Sequence, residues 1–174
     1  LIEAARCAED SRFFIHRGIN WNSVIHAFIN NAIERKKRVG GSTITQQLIK
    51  NVYLSHDAGM DRKLTELLMV SRLERDLSKN EIMELYLNVI YYGNDIYGIT
   101  DAARYYYDKT PAELDFDQCV SLICLLPCPD KYNMKAGTEL FSLARQHVYS
   151  ALASRSDMKF GELAEIYTHS KEPR

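Results

Sequence analysis

The feature that most constrains this chain is a helical hydrophobic rhythm, repeatedly restarted by capping signals, with no run of strand-type alternation. Three polar pairs at i, i+3 mark helix starts: Thr43/Gln46, Ser78/Glu81 and Asp115/Gln118. In each, the two side chains can satisfy backbone N–H groups that the first turn leaves open. The pattern predicts helices over 1–9, 22–37, 43–53, 62–77, 79–88, 98–107, from 115 to the stop at Pro127-Cys128-Pro129, over 138–154, and over 160–169. The second of these carries Val24, Ile25, Phe28, Ile29, Ala32 and Ile33 on one apolar stripe. Gly40-Gly41 ends it, 55–59 reads as a polar turn, and Tyr91-Tyr92-Gly93-Asn94 reads as a loop. No repeat or linker divides the 174 residues, so one mainly α domain over 1–174 is expected.

Composition narrows the function classes. A net charge of -1 gives no general affinity for nucleic acid, although Glu34-Arg35-Lys36-Lys37-Arg38 is a compact basic run. Cys7, Cys119, Cys124 and Cys128 form no Cys-x-x-Cys pair and have no histidine at zinc spacing. Cys119 and Cys124 lie in an apolar stretch and read as small buried hydrophobes. No segment reaches the ~18 apolar residues that span a bilayer, and no signal peptide is visible. The sequence opens in mid-helix, so an excised domain with any anchor upstream is expected.

Three groups of residues carry chemistry. Glu9-Asp10 is an adjacent acid pair followed by Phe13, His16 and Gly18. In an apolar setting one acid of such a pair can be held as a base, but a solvated helix end gives the same pattern. The second group is Gly40-Gly41-Ser42-Thr43-Ile44-Thr45-Gln46-Gln47-Leu48-Ile49-Lys50. Here glycines allow close backbone approach, a helix N-terminus suits an anion, and Lys50 lies one turn beyond Gln46 and Gln47. The third is Arg62-Lys63-x-x-Glu66, a carboxylate with two cations at i-4 and i-3. It is either a surface salt-bridge pattern or a clamp for a phosphorylated leaving group.

The order and spacing of these groups resemble the family 51 peptidoglycan glycosyltransferases, found in bifunctional penicillin-binding proteins and in monofunctional transglycosylases. The likeness continues through Ser78-Lys79-x-Glu81-Ile82-x-Glu84-x-Tyr86-Leu87-Asn88, Tyr92-Gly93-Asn94-x-x-Tyr97-Gly98-Ile99 and Leu125-Leu126-Pro127, and fades after about Met134. It implies a lysozyme-like helical fold with a small membrane-facing lobe at about 20–39. Trp21, Phe28, Ile29 and the basic run would be its interfacial groups.

The resemblance also implies a reaction. Lipid II, a disaccharide-pentapeptide on undecaprenyl diphosphate, would be polymerised into β-1,4-linked strands with inversion and release of the lipid diphosphate. Glu9 matches the general base for the acceptor's 4-hydroxyl, and Glu66 the second glutamate on the donor side. Asp10, Gly41, Ser42, Thr43, Thr45, Gln46, Gln47, Lys50, Arg62 and Lys63 match substrate-binding positions. Phe13, His16, Gly18 and Asn94 match structural positions near the site. No metal ligands are identified, though a divalent cation (Mg or Mn) could assist. The implied partners are lipid II, the growing glycan, the membrane surface and other cell-wall synthesis proteins. The implied location is the outer face of the bacterial cytoplasmic membrane. Departures from the family are Cys7, Cys119, Asp61 directly before Arg62, and the lack of an arginine-rich helix after Pro129. Two alternatives stand beside this expectation: a non-catalytic scaffold that binds lipid-linked sugar, and a lysozyme-like lytic enzyme, since paired carboxylates also cleave glycosides.

Overall fold

A computed structural model of the chain describes residues 1–25, 41–53, 60–132, 134 and 137–154, excepting the side chains of 60–62. Most of the expected membrane-facing lobe, the basic run, the polar turn at 55–59 and the helix expected at 160–169 lie outside the described residues. Among those described, seven α-helices are complete: α1 (Ile2–Glu9), α2 (Ile44–Tyr53), α3 (Met60–Asp76), α4 (Lys79–Val89), α5 (Ile99–Tyr107), α6 (Phe116–Leu125) and α7 (Glu139–Ala153). Residues 21–25 are helical as expected. The mainly α expectation holds: the nearest approach to a strand among the described residues is one isolated bridge, Tyr91 with Tyr97.

The capping pairs do what their spacing requires. Gln46 N–H donates to Thr43 Oγ1 while Thr43 N–H donates to Gln46 Oε1. Ser78 with Glu81 and Asp115 with Gln118 close the same reciprocal box. A fourth box, Thr110 with Glu113, opens a short 3-10 turn at Pro111–Glu113 that the hydrophobic rhythm does not announce.

The chain divides into two compact units, one of residues 1–11 with those from 90 onward, the other of residues 12–89. In the first, α6 is buried from Cys119 through Leu125 without a break. A helix apolar on all sides needs neighbours on all sides. It has α1, α5 and α7 packed against it, contributing Ala4, Ala5, Ala102, Ala103, Phe141, Val148 and Leu152 to the core. Cys119 and Cys124 sit there as small hydrophobes, and burial pushes the Cys124 thiol up to about 12. The segment 91–97 turns back on itself with Tyr92 N–H on Ile96 O (2.8 Å). Asn94 and Asp95 both take left-handed φ, which their short polar side chains tolerate better than most.

The last described helix, α7, is fastened to α6 by a polar bolt. Asp117 on α6 accepts from both Arg145 and Tyr149 on α7. Burial and the neighbouring carboxylate raise the Tyr149 hydroxyl well above its usual range.

In the second unit, α2 packs against both α3 and α4. Ile44, Leu48 and Ile49 of α2 meet a core completed by Val70, Ile82, Met83, Tyr86 and Phe13, all essentially inaccessible. Full burial of each aliphatic or aromatic side chain contributes about 1.5–3 kcal/mol.

Candidate active site

Glu9 is the last residue of α1, in the first unit. The helix ends there because Asp10 leaves helical geometry, its N–H still closing the last turn on Arg6 O (3.0 Å). Glu9 is half-buried and Asp10 buried. Arg6 reaches back to Glu3 (3.1 Å) and forward to Ser11 O (3.3 Å), tying down the exit. Asn94 also lies in this unit. Its Nδ2 donates to the Tyr106 hydroxyl (2.9 Å), which donates in turn to Tyr92 O (3.0 Å).

The remaining expected residues belong to the second unit. Glu66 is 1% exposed. A carboxylate so deeply placed must be paired, since stripping its water costs several kcal/mol. Its Oε1 accepts from Lys63 Nζ (2.7 Å) and from Gln46 Nε2 (2.9 Å). Lys63 stays 57% exposed along its side chain, so its ammonium bridges the buried carboxylate and solvent. Arg62 lies in α3, but its side chain is outside the described atoms.

The polar face of α2 is engaged within the protein. Thr43, Thr45 and Gln46 are buried, and Thr43 Oγ1 donates to Gly18 O (2.6 Å). Gln47 Oε1 accepts from the Tyr86 hydroxyl (3.1 Å). Lys50 reaches back along the helix to Ser42 Oγ (2.8 Å), placing an ammonium beside the segment that leads into α2. Gly41 and Ser42 are half-buried in that non-helical segment. Phe13 is fully buried, His16 packs edge-on to it at 6.3 Å, and Gly18 has φ +82. A side chain at Gly18 would collide with Val70 Cγ1 at 2.4 Å, so this position requires glycine both for its conformation and for its space.

Two residues not among the expected site residues are central to this part of the second unit: Glu74 and Lys79, paired at 2.7 Å with Glu74 nearly buried. The signal was available. Glu66, Val70 and Glu74 stand at i, i+4 and i+8 on α3 and therefore share one face. Acids at positions in phase with a core valine require partners. Among the described residues no group of three or more His, Cys, Asp or Glu gathers as metal ligands.

The second unit therefore holds a buried, cation-paired carboxylate and an internally braced polar helix, and the first unit holds an acid at the end of α1. The transglycosylase family matches residues 1–153 of this chain. The biosynthetic peptidoglycan transglycosylase of Nitrosospira multiformis is 36% identical over 156 residues, 90% of this chain and 68% of that protein. Its counterpart from Alcanivorax borkumensis is 41% identical over 139 residues, 80% of this chain and 57% of that protein. Penicillin-binding protein 1F of Bacillus subtilis is 40% identical over 131 residues, which is 75% of this chain and 18% of that protein. The chain thus spans a small part of the penicillin-binding protein and little more than half of the Alcanivorax enzyme. With the family pattern running from the first residue to the end of α7, the chain belongs to the transglycosylase family.

Proposed function

We propose that this chain is a peptidoglycan glycosyltransferase that polymerises lipid II into β-1,4-linked glycan strands, acting at the outer face of the bacterial cytoplasmic membrane. Glu9 takes the proton from the acceptor's 4-hydroxyl as that oxygen attacks the donor's anomeric carbon. The bond from that carbon to the diphosphate breaks, its electron pair leaves with the phosphate, and the configuration inverts. The leaving diphosphate needs positive charge more than a strong acid. Lys63, Arg62 and Lys50 supply it, with Glu66 holding Lys63 in place.

The observation that carries this reading is the Glu66 cluster in a chain of this family. An internal carboxylate binds an ammonium that is itself solvent-facing. The ammonium can shift toward an incoming phosphate without leaving the protein's hold. A divalent cation would be bound chiefly by substrate phosphate, with at most one or two carboxylates from the protein. Trp21 and Ile25, 64% and 54% exposed, support contact with a membrane surface. A polymerisation assay on lipid II with wild type, Glu9→Gln and Glu66→Gln side by side tests the proposal. Polymer from wild type and near-silence from both variants is expected. Glu9→Gln protein as fast as wild type would refute the role given to Glu9. Lipid II binding without polymer from wild type would favour a scaffold, and muropeptides released from sacculi a lytic enzyme.

A further inference from the structure

Glu74 is a nearly buried carboxylate to which the proposed chemistry gives no task. Its Oε1 accepts from Thr45 Oγ1 (2.5 Å) and from Lys79 Nζ (2.7 Å). Thr45 is fully buried, and the side chains of Glu74 and Lys79 are 7% and 19% exposed. The same ammonium stands 4.4 Å from the centroid of the Phe13 ring. Gly18 packs on the stem of Glu74, where an added Cβ would lie 2.9 Å from Cγ. The Glu74–Lys79 pair thus joins α3 to α2 and to the first residue of α4, with Glu74 against Gly18 and Lys79 against Phe13 at the two ends of the segment 13–18.

We propose that Glu74 is a positioning residue that sets α2 and the 13–18 segment so that Gln46 meets Glu66. Two contacts between α3 and α2 involve adjacent residues: Glu66 takes Gln46 and Glu74 takes Thr45. Together they fix the rotation of α2 about its axis, which one contact alone leaves open. The Thr43–Gln46 cap and the Thr43 bond to Gly18 O then carry that placement into the segment 13–18. The alternative, a charge kept for stability, is poorly motivated. A buried ion pair often does no more than break even against apolar residues of similar volume, and the valine one turn before Glu74 shows that this face accepts an apolar side chain. What an apolar residue cannot supply is a directional acceptor for two donors at once.

The test uses the full chain and the pair replacement Glu74→Leu/Lys79→Met, which removes both charges together. Its activity arm rests on the proposed function; its exchange arm does not. Misplacement by about 1 Å at a reacting site can cost on the order of 100-fold in rate. The expected result is kcat on lipid II lowered about 10- to 100-fold with KM within about twofold, at an unchanged melting temperature. Hydrogen exchange, read by mass spectrometry, should quicken in 12–18 and 42–48 and stay unchanged in α6. Wild-type kcat with wild-type exchange in those two segments overturns the proposal. Should the double variant lose stability, the single variant Lys79→Met, which frees the Phe13 face, reads the same exchange. Quickening confined to the two segments supports the proposal, and uniform quickening across the unit overturns it. A wild-type protein that makes no polymer refutes the proposed function, while the exchange result still decides the role of Glu74.

Discussion

Replacing Glu66 by glutamine separates catalytic from structural roles at this position more sharply than any other change. The side chain keeps its size and an acceptor oxygen for Gln46, so the 2.9 Å contact can persist. What is lost is the charge that holds Lys63 at 2.7 Å. Two energies oppose each other in stability. The charge-assisted bond contributes about 1.5–3 kcal/mol, while removing a buried carboxylate relieves a desolvation cost of several kcal/mol. Lys63 is 57% exposed and regains water when released, so no charge is stranded inside. The expected net change in stability is within about 1 kcal/mol. Activity should respond differently. Losing a fixed electrostatic group at a reacting site typically costs about 2.7–4 kcal/mol of barrier, or roughly 100- to 1,000-fold in kcat. The checks are urea denaturation of wild type and variant together with continuous lipid II polymerisation at saturating substrate. A variant with wild-type stability and kcat within about threefold of wild type refutes the role given to Glu66. So does a loss of activity matched by a loss of several kcal/mol in stability.

Three further outcomes follow from the packing. Gly18→Ala forces a Cβ to within 2.4 Å of Val70 at φ +82; left-handed strain and overpacking together should cost about 2–5 kcal/mol, measured as the urea midpoint, and a cost under about 1 kcal/mol contradicts the packing described. Hydrogen bonds from the Ser78 side chain and backbone hold the Glu81 carboxyl below its ordinary 4.5. A depressed folded pKa means the cap stabilises α4 above the ordinary value and is lost as pH falls through the folded one. An NMR titration should therefore show a low midpoint for Glu81 that rises in Ser78→Ala. With burial raising the Cys124 thiol and Cys119 only 8% exposed, a thiol reagent should label Cys7 and Cys128 in the native protein and reach the other two only on unfolding.

Helix identity was readable from sequence because it depends on near neighbours. The pairs at 43/46, 78/81 and 115/118 are three residues apart, so their geometry follows from the helix itself, and the structure closes all three boxes. The Lys63–Glu66 contact was readable on the same ground. The run Cys119–Leu125 announced a buried helix by its apolar character alone. Motif order pointed to the family, which the match over 1–153 then showed.

Only the tertiary structure decided what the polar residues are bonded to. Thr45 and Glu74 are 29 residues apart, Gln47 and Tyr86 39, and Asp117 and Tyr149 32. No local periodicity specifies such pairings, because they depend on how helices rotate and dock once their apolar faces are buried. The dense polar face of α2 therefore reads in sequence as a ligand surface, while in the fold most of it braces the protein around Glu66. Glu66 illustrates both halves. Its bond to Lys63 follows from one turn of helix, whereas its burial and its bond to Gln46 exist only because α2 packs on α3.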